Sequence, residues 1–155
     1  MPRNIGLDDF AKFLEEKASG ITSKLEKAID GCCIKVHDDI QFSMAHTPLD
    51  MTKTYYTENK TKGHHPSLPE NPPAIDSGRL RGSINYEIHG SDKEVYGIVG
   101  STQKEPDYAV WTEHGNSRMK PRPWLKPAMI KNNDFIRNSI SKAVKETLVG
   151  GGNES

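Results

Sequence analysis

Apolar residues recur at three- and four-residue steps over residues 7–46, and charged side chains fill the other face. This spacing predicts one long N-terminal helix. His46-Thr47-Pro48 should end it, because proline disfavours the helical conformation of the residue before it. Such a helix is about 60 Å long, too long for the core of so small a domain, so we expect part of it to pack on a neighbour. The apolar stripe consists of Leu7, Phe10, Leu14, Ala18, Ile21, Leu25, Ala28, Cys32, Val36, Ile40 and Met44.

The period changes to two after Ser83, and two alternating segments flank the polar turn at residues 90–93. This pattern predicts a β-hairpin, and its second strand carries apolar side chains on both faces. A second amphipathic helix is predicted for residues 124–148, with Pro127 tolerated in its first turn and three glycines ending it. The chain therefore predicts an α+β fold, in which a long N-terminal and a C-terminal helix pack on a small antiparallel sheet.

The connections carry more specific signals. Residues 49–73 are polar, rich in proline and without a period, which predicts a flexible inserted loop. Asp76 and Ser77 are candidate N-caps of a short helical turn. Gly78 and Gly115 are expected to adopt backbone conformations that other residues resist. The segment from Tyr108 to Glu113 fits either a strand or a helical turn.

Length and composition indicate one domain over residues 1–149, followed by a disordered tail at 150–155. The chain of 155 residues has 21 basic and 21 acidic side chains, and its net charge of zero argues against a simple nucleic-acid or membrane binder. No apolar run is long enough for a membrane span. The two cysteines, Cys32 and Cys33, are adjacent and ill-placed for a mutual disulfide. We therefore expect cytoplasmic synthesis with reduced thiols.

Candidate chemistry is scattered along the chain. Cys33 and His37 lie one helical turn apart and form half of a metal site, but the spacing of further ligands does not complete it. We therefore expect no metal and no cofactor. Glu113 and His114, with Asp76 or Asp107, are the residues that a hydrolase hypothesis would use. No nucleophile, metalloprotease or phosphate-loop motif accompanies them, and we expect no enzyme. A structural role suits Glu113 better, as a carboxylate that binds backbone donors or an arginine.

Basic residues concentrate in the second half of the chain, at Arg79, Arg81, Arg118, Lys120, Arg122, Lys126 and Lys131. One hypothesis is nucleic-acid binding through Arg79, Arg81, Arg118 and Arg122. The other is ion pairing with acidic surfaces of neighbouring subunits, which the zero net charge favours. Trp111 and Trp124 suit a core or a subunit contact better than base stacking.

The segments at 74–84 and 108–128 resemble the signature of the head–tail joining (neck or tail-completion) minor tail proteins of long-tailed bacteriophages. That family's pattern reads P-x-D-[ST]-G-x-L-R-x-S-I, a strand pair, Y-A-x-x-x-E-x-G and R-P-[FW]-L-x-P-A before a closing helix. The chain departs from it in that Pro73 is displaced and residues 49–73 look like an insertion. The matching residues are Asp76, Ser77, Gly78, Leu80, Arg81, Ser83, Ile84, Tyr108, Ala109, Glu113, Gly115, Arg122, Pro123, Trp124, Leu125, Pro127 and Ala128.

This resemblance implies a non-enzymatic virion component that assembles as a homo-oligomeric ring at the head–tail junction. Its partners would be other neck and tail proteins, and DNA would pass through the ring without specific binding. The candidate subunit contacts are Trp111, Arg122, Pro123 and Trp124.

Overall fold

The computed structural model describes residues 7–56, 63–91, 94–102 and 107–149, and the side chains of Phe10 and Asp107 are left aside. These residues confirm the α+β fold: a long N-terminal helix, a C-terminal helix and two small antiparallel sheets, which pair β1 with β2 and β3 with β4. The elements are α1 (Leu7–Ala45), β1 (Tyr55–Tyr56), β2 (Gly63–His64), α2 (Arg79–Ser83), β3 (Ile84–Gly90), β4 (Val95–Ser101), α3 (Asp107–His114) and α4 (Leu125–Val149).

The chain divides into two compact units, and α1, β3, β4 and α4 each contribute residues to both. The first unit contains the described residues up to Cys33, the hairpin segment Glu87–Ile98 and the described residues from Asp134 onward. The second contains Ile34–Tyr86 and Val99–Asn133. Nearly all of the motif residues of the second half of the chain therefore fall in the second unit.

In the first unit, the early part of α1 lies against the end of α4. Lys17 Nζ donates a hydrogen bond to the carbonyl oxygen of Thr147 over 3.4 Å. Cys32 and Cys33 are buried free thiols, and burial raises the pKa of both. A Cβ added at Gly97 of β4 would fall 2.9 Å from the Cγ2 of Ile29, so the strand lies directly on α1.

In the second unit, the core contains the last turns of α1, the first turns of α4 and residues 78–84, which include α2 and are called the motif turn. The buried apolar residues there are Val36, Ile40, Met44, Leu80, Ile84, Trp124 and Ala128. Val36, Ile40 and Met44 follow one another at four-residue steps, which place them on one face of α1. The spacing that predicted the helix therefore also predicted this part of its buried face.

The apolar stripe of α1 is buried over only part of its length. From Cys32 onward its members have little or no exposed surface, whereas Leu7 is 88% exposed and Leu14 is 51% exposed. The sequence cannot distinguish these two ends, because the periodicity is the same along the whole helix. Large apolar side chains at the N-terminal end of α1 are thus left in solvent.

The segment 49–73 is more regular than its composition suggests. Leu49 and Ser67 form an antiparallel bridge, and Tyr55 and Tyr56 of β1 pair with His64 and Gly63 of β2. Ser67 is fully buried. Residues 57–62 lie outside the described residues. The predicted flexibility of the segment stays a prediction, and the strand pairing at its base is a feature that the composition did not indicate.

The short helix α2 begins differently from the prediction. Its N-cap is Gly78, and no side chain caps it. Ser77 Oγ accepts only a long 3.4 Å hydrogen bond from the backbone N–H of Arg79. The carboxylate of Asp76 lies instead 3.5 Å from Nδ1 of His64 on β2. The N-cap roles predicted for Asp76 and Ser77 are therefore wrong, because a glycine with a left-handed conformation makes the turn.

Among the described helices, none combines the length and the apolar composition that a membrane span requires.

Candidate functional site

The carboxylate of Glu113, at the end of α3, caps the N-terminus of α4. Glu113 Oε2 accepts hydrogen bonds from the backbone N–H groups of Trp124 (2.8 Å) and Leu125 (2.9 Å), and Oε1 accepts one from Lys126 (2.9 Å). The first N–H groups of a helix have no partner within the helix, and a negative charge there also favours the helix dipole. This confirms the structural role that the sequence favoured for Glu113.

Pro127 completes the N-terminus of α4. A helix leaves its first four N–H groups unpaired, and here three of them donate to Glu113. The fourth position is Pro127, which has no N–H to satisfy. Ala128, which follows it, is buried. Glu113 and Pro127 together therefore leave no unpaired N–H donor at the first four positions of α4.

The buried side chain of Trp124 also connects α3 to the start of α4. Its indole Nε1–H donates to Thr112 Oγ1 over 3.2 Å and approaches the carbonyl oxygen of Ala109 at 3.4 Å. Thr112 is buried, and its hydroxyl in turn donates to Ala109 O. The indole N–H of Trp124 is thus hydrogen-bonded to α3, and its apolar ring is buried in the core.

Gly115 turns the chain sharply after α3. Its φ of 76° is in the left-handed region, as predicted, and Gly78 has the same φ before α2. A Cβ at Gly115 would lie 2.8 Å from the carbonyl oxygen of Met119 and 2.9 Å from the ring of Pro121. After this turn, residues 114–121 line an open groove of about 460 Å³ that carries the basic side chains of Arg118 and Lys120. The groove could accommodate an acidic group.

Arg81 joins the motif turn to α1. Its Nε–H donates to Gln41 Oε1 over 2.7 Å, and Gln41 Nε2 donates back to the carbonyl oxygen of Arg81 over 3.0 Å. Ser83 Oγ binds both the carbonyl oxygen of Leu80 and the hydroxyl of Ser101, each over 2.7 Å. Gln41 was missed by the sequence analysis, because nothing local to it indicates a partner forty residues away.

The two halves of the motif meet around Tyr108. Partial burial raises the pKa of the Tyr108 hydroxyl although the residue as a whole is 48% exposed, the positive charge of Arg122 lowers this pKa, and the negative charge of Asp76 raises it. Arg122 also donates from Nε to the carbonyl oxygen of Ser67 over 3.2 Å and from its backbone N–H to Thr112 O over 2.7 Å. Arg122 therefore holds the base of the 49–73 hairpin against α3.

Asp39 is a second structural carboxylate that the sequence analysis did not single out. Asp39 Oδ2 accepts hydrogen bonds from Asn132 (2.7 Å) and Lys35 (3.1 Å), and Oδ1 accepts one from Lys131 (3.1 Å). Asn132 is buried and also donates to the carbonyl oxygen of Ala128. The available signal was Asn132 itself, a polar residue on the apolar face of the predicted helix. Together these contacts bind α1 to α4 in the second unit.

Replacing Asp39 with alanine should lower the stability at neutral pH by about 1–2 kcal/mol and remove part of its acid sensitivity. Burial alone would raise the pKa of Asp39, but the hydrogen bonds from Asn132, Lys131 and Lys35 outweigh it and lower the pKa to about 2. A carboxyl group with a pKa of about 3.9 in the unfolded chain stabilises the fold above that pH. This contribution disappears as the pH falls towards 2.

Urea unfolding of both proteins between neutral pH and about pH 2 measures the effect. The difference between wild type and Asp39→Ala should shrink over the acid range. Asp134→Ala is the matched control, since Asp134 is an exposed aspartate on α4. An equal loss in both variants at every pH would contradict the role assigned to Asp39.

The residues of the metal and hydrolase hypotheses are not grouped into one site, and most of them make contacts of other kinds. Across the residues that the structure describes, no three His, Cys, Asp or Glu side chains lie close enough to share an ion. His37 contacts Asp38 and Gln41. His65 Nδ1 lies 2.8 Å from the carbonyl oxygen of Lys53. Glu113 serves the backbone of α4, while His114 lines the open groove.

The four candidate subunit contacts have unequal exposure. Trp124 is only 4% exposed and belongs to the core, whereas Trp111 is 43% exposed. Arg122 and Pro123 have intermediate exposure. Tyr108 and Val110 are exposed alongside Trp111 on α3. A contact role is therefore open to Trp111, while Trp124 has little surface to offer, because its indole fills the joint between α3 and α4.

Comparison of the chain with protein-family models, with curated protein sequences and with solved structures finds no match.

Proposed function

We propose that this chain is a non-enzymatic virion protein that joins the head and tail of a long-tailed bacteriophage as part of a homo-oligomeric ring. The observation that carries the proposal is how the motif residues are used. Glu113, Arg81 and Arg122 bind main-chain or side-chain groups of their own chain, while Tyr108, Val110 and Trp111 expose large apolar surfaces beside them. A stretch of this kind is suited to presenting a contact surface.

Two further features support an assembly role. Leu7 and Leu14 leave the N-terminal end of the α1 stripe exposed, which provides apolar surface for a neighbouring protein. The groove at residues 114–121 adds the charges of Arg118 and Lys120 next to α3. Other neck and tail proteins, or a second copy of the chain, are the proposed partners. The resemblance of the motif to head–tail joining proteins is the reason for assigning the role to the virion's head–tail junction.

Nucleic-acid binding through Arg79, Arg81, Arg118 and Arg122 is the alternative function. Arg81 and Arg122 already have partners within the chain, since Arg81 binds Gln41 and Arg122 binds the carbonyl oxygen of Ser67. Retention of the isolated protein on DNA, decreasing steeply with salt, would support this alternative. We expect that the purified protein is not retained on DNA at physiological salt.

Trp111→Ala should leave the fold intact and prevent the joining of heads to tails. The side chain is exposed, so truncation should change the free energy of unfolding by less than about 1 kcal/mol. A buried aromatic contact with a partner is worth 2 kcal/mol or more at a typical hot spot, about a 30-fold loss of affinity. Electron microscopy of the particles made with each variant counts joined heads and tails.

Leu148→Ala is the matched control, because Leu148 is also a large exposed apolar side chain but lies near the end of α4. Particles carrying this variant should be joined normally. Normal joining with Trp111→Ala would remove Trp111 from the proposed contact surface. A folding defect is excluded by recording the unfolding transition of both purified variants.

A further inference from the structure

The side-chain amide of Gln41 has only one possible orientation. Its oxygen faces the Nε–H of Arg81 at 2.7 Å, and its nitrogen faces the carbonyl oxygen of Arg81 at 3.0 Å. An amide rotated by 180° would place oxygen against oxygen and N–H against N–H. Arg81 therefore determines which end of the amide is the donor.

This orientation determines the protonation of His37. Gln41 Nε2 lies 3.3 Å from His37 Nε2, and an amide nitrogen can only donate. His37 Nε2 must therefore accept, which requires a neutral ring with its proton on Nδ1. That proton points to Asp38 Oδ1, 3.2 Å away. The chain Asp38–His37–Gln41–Arg81 is consistent only with this tautomer.

We propose that protonation of His37 releases the motif turn from α1, so that the docking of α2 depends on pH. The imidazolium carries an N–H on Nε2, which would meet the N–H of Gln41. Gln41 can turn its oxygen toward that donor only by giving up both hydrogen bonds to Arg81.

The charged and titratable groups around His37 come from three elements. Asp38 on α1 lies 3.2 Å from Nδ1 and has a mostly exposed side chain. Arg81 on α2 repels a positive ring through Gln41. Tyr86 on β3 meets the ring edge-on, with the two centroids 6.0 Å apart. None of these contacts supplies a new acceptor for a proton on Nε2, so the conflict with Gln41 remains.

Nuclear magnetic resonance of the full chain tests the proposal, with nitrogen chemical shifts of the His37 ring and the Nε–H signal of Arg81. At the start of the titration, at about pH 8, the proposal predicts the Nδ1–H tautomer. As the pH is lowered to about 5, the Arg81 Nε–H signal should shift and lose protection from exchange with the same midpoint as the His37 ring. A neutral ring protonated on Nε2, or an Arg81 signal that does not change while His37 titrates, would overturn the proposal.

A pair of variants provides an independent readout. Gln in place of His37 retains an acceptor for Gln41 and does not titrate, so in His37→Gln the Arg81 signal should be independent of pH. Between about pH 8 and about pH 5, wild type should lose about 2–4 °C of Tm more than this variant does. His46→Gln removes the histidine that directly follows the end of α1 and should keep the pH dependence of the wild type. Equal pH dependence of wild type and His37→Gln would contradict the proposal.

Discussion

Replacing Glu113 with alanine is expected to lower the free energy of unfolding by about 3 kcal/mol. The variant loses a carboxylate that accepts from the N–H groups of Trp124, Leu125 and Lys126. Neither Trp124 at the N-cap position nor Pro127 at the N3 position has a side-chain acceptor that could replace it. The first turn of α4 should fray, and the contact between Trp124 and Thr112 should weaken with it.

Denaturant unfolding measures the loss, and hydrogen exchange at residues 124–126 locates it. Glu113→Gln should lose less than the alanine variant, since one amide oxygen still accepts but the negative charge at the helix N-terminus is gone. Glu146→Ala is the matched control, because Glu146 is an exposed carboxylate on α4 that forms a 3.8 Å ion pair with Lys142. Exchange at 124–126 that is unchanged in Glu113→Ala would show that the cap does not hold α4.

Gly115→Ala is expected to destabilise the protein by about 3 kcal/mol and Gly78→Ala by about 1 kcal/mol. Both glycines have φ of 76°, so both substitutions strain the backbone. Only at Gly115 does the added Cβ also meet backbone atoms, 2.8 Å from the carbonyl oxygen of Met119 and 2.9 Å from the nitrogen of Pro121. At Gly78 nothing lies within 4 Å of it.

The comparison of the two variants separates backbone strain from steric contact. Unfolding midpoints of wild type and both variants give the two free-energy differences under identical conditions. Equal losses would mean that the turn after α3 relaxes around the new methyl group. A loss at Gly78 larger than at Gly115 would contradict the geometry of both turns.

The sequence predicted what depends on local spacing. Periods of three to four residues placed α1 and α4 close to their observed ends, and the period of two placed β3 and β4. Glycines within turn signals predicted the left-handed conformations of Gly78 and Gly115. Such predictions succeed from the sequence alone because helix, strand and turn preferences act over a few neighbouring residues.

The partners of long-range contacts could not be predicted from local patterns. Gln41 binds Arg81 forty residues away, and Asp39 binds Asn132 at a separation of 93 residues. The burial of Trp124 was equally uncertain, since an aromatic beside prolines suits a core and an interface alike. Ser67 became buried because a hairpin forms over a polar segment whose composition indicates none.

The contacts of the motif residues separate those that hold the fold from those that would contact a partner. Residues that resemble a family signature here hold α2, α3 and the start of α4 in place, and the exposed side chains of α3 are positioned as a result. We infer that substitutions in Glu113 or Gly115 impair any partner contact indirectly, through the fold. Substitutions at Trp111 would impair it directly.

The most direct test of the proposed role is electron microscopy of particles made by a phage from which the gene for this chain has been deleted. The proposal predicts heads filled with DNA and complete tails that remain separate, and joined infectious particles when the wild-type chain is supplied in trans. Joined particles of normal infectivity from the deletion alone would contradict it.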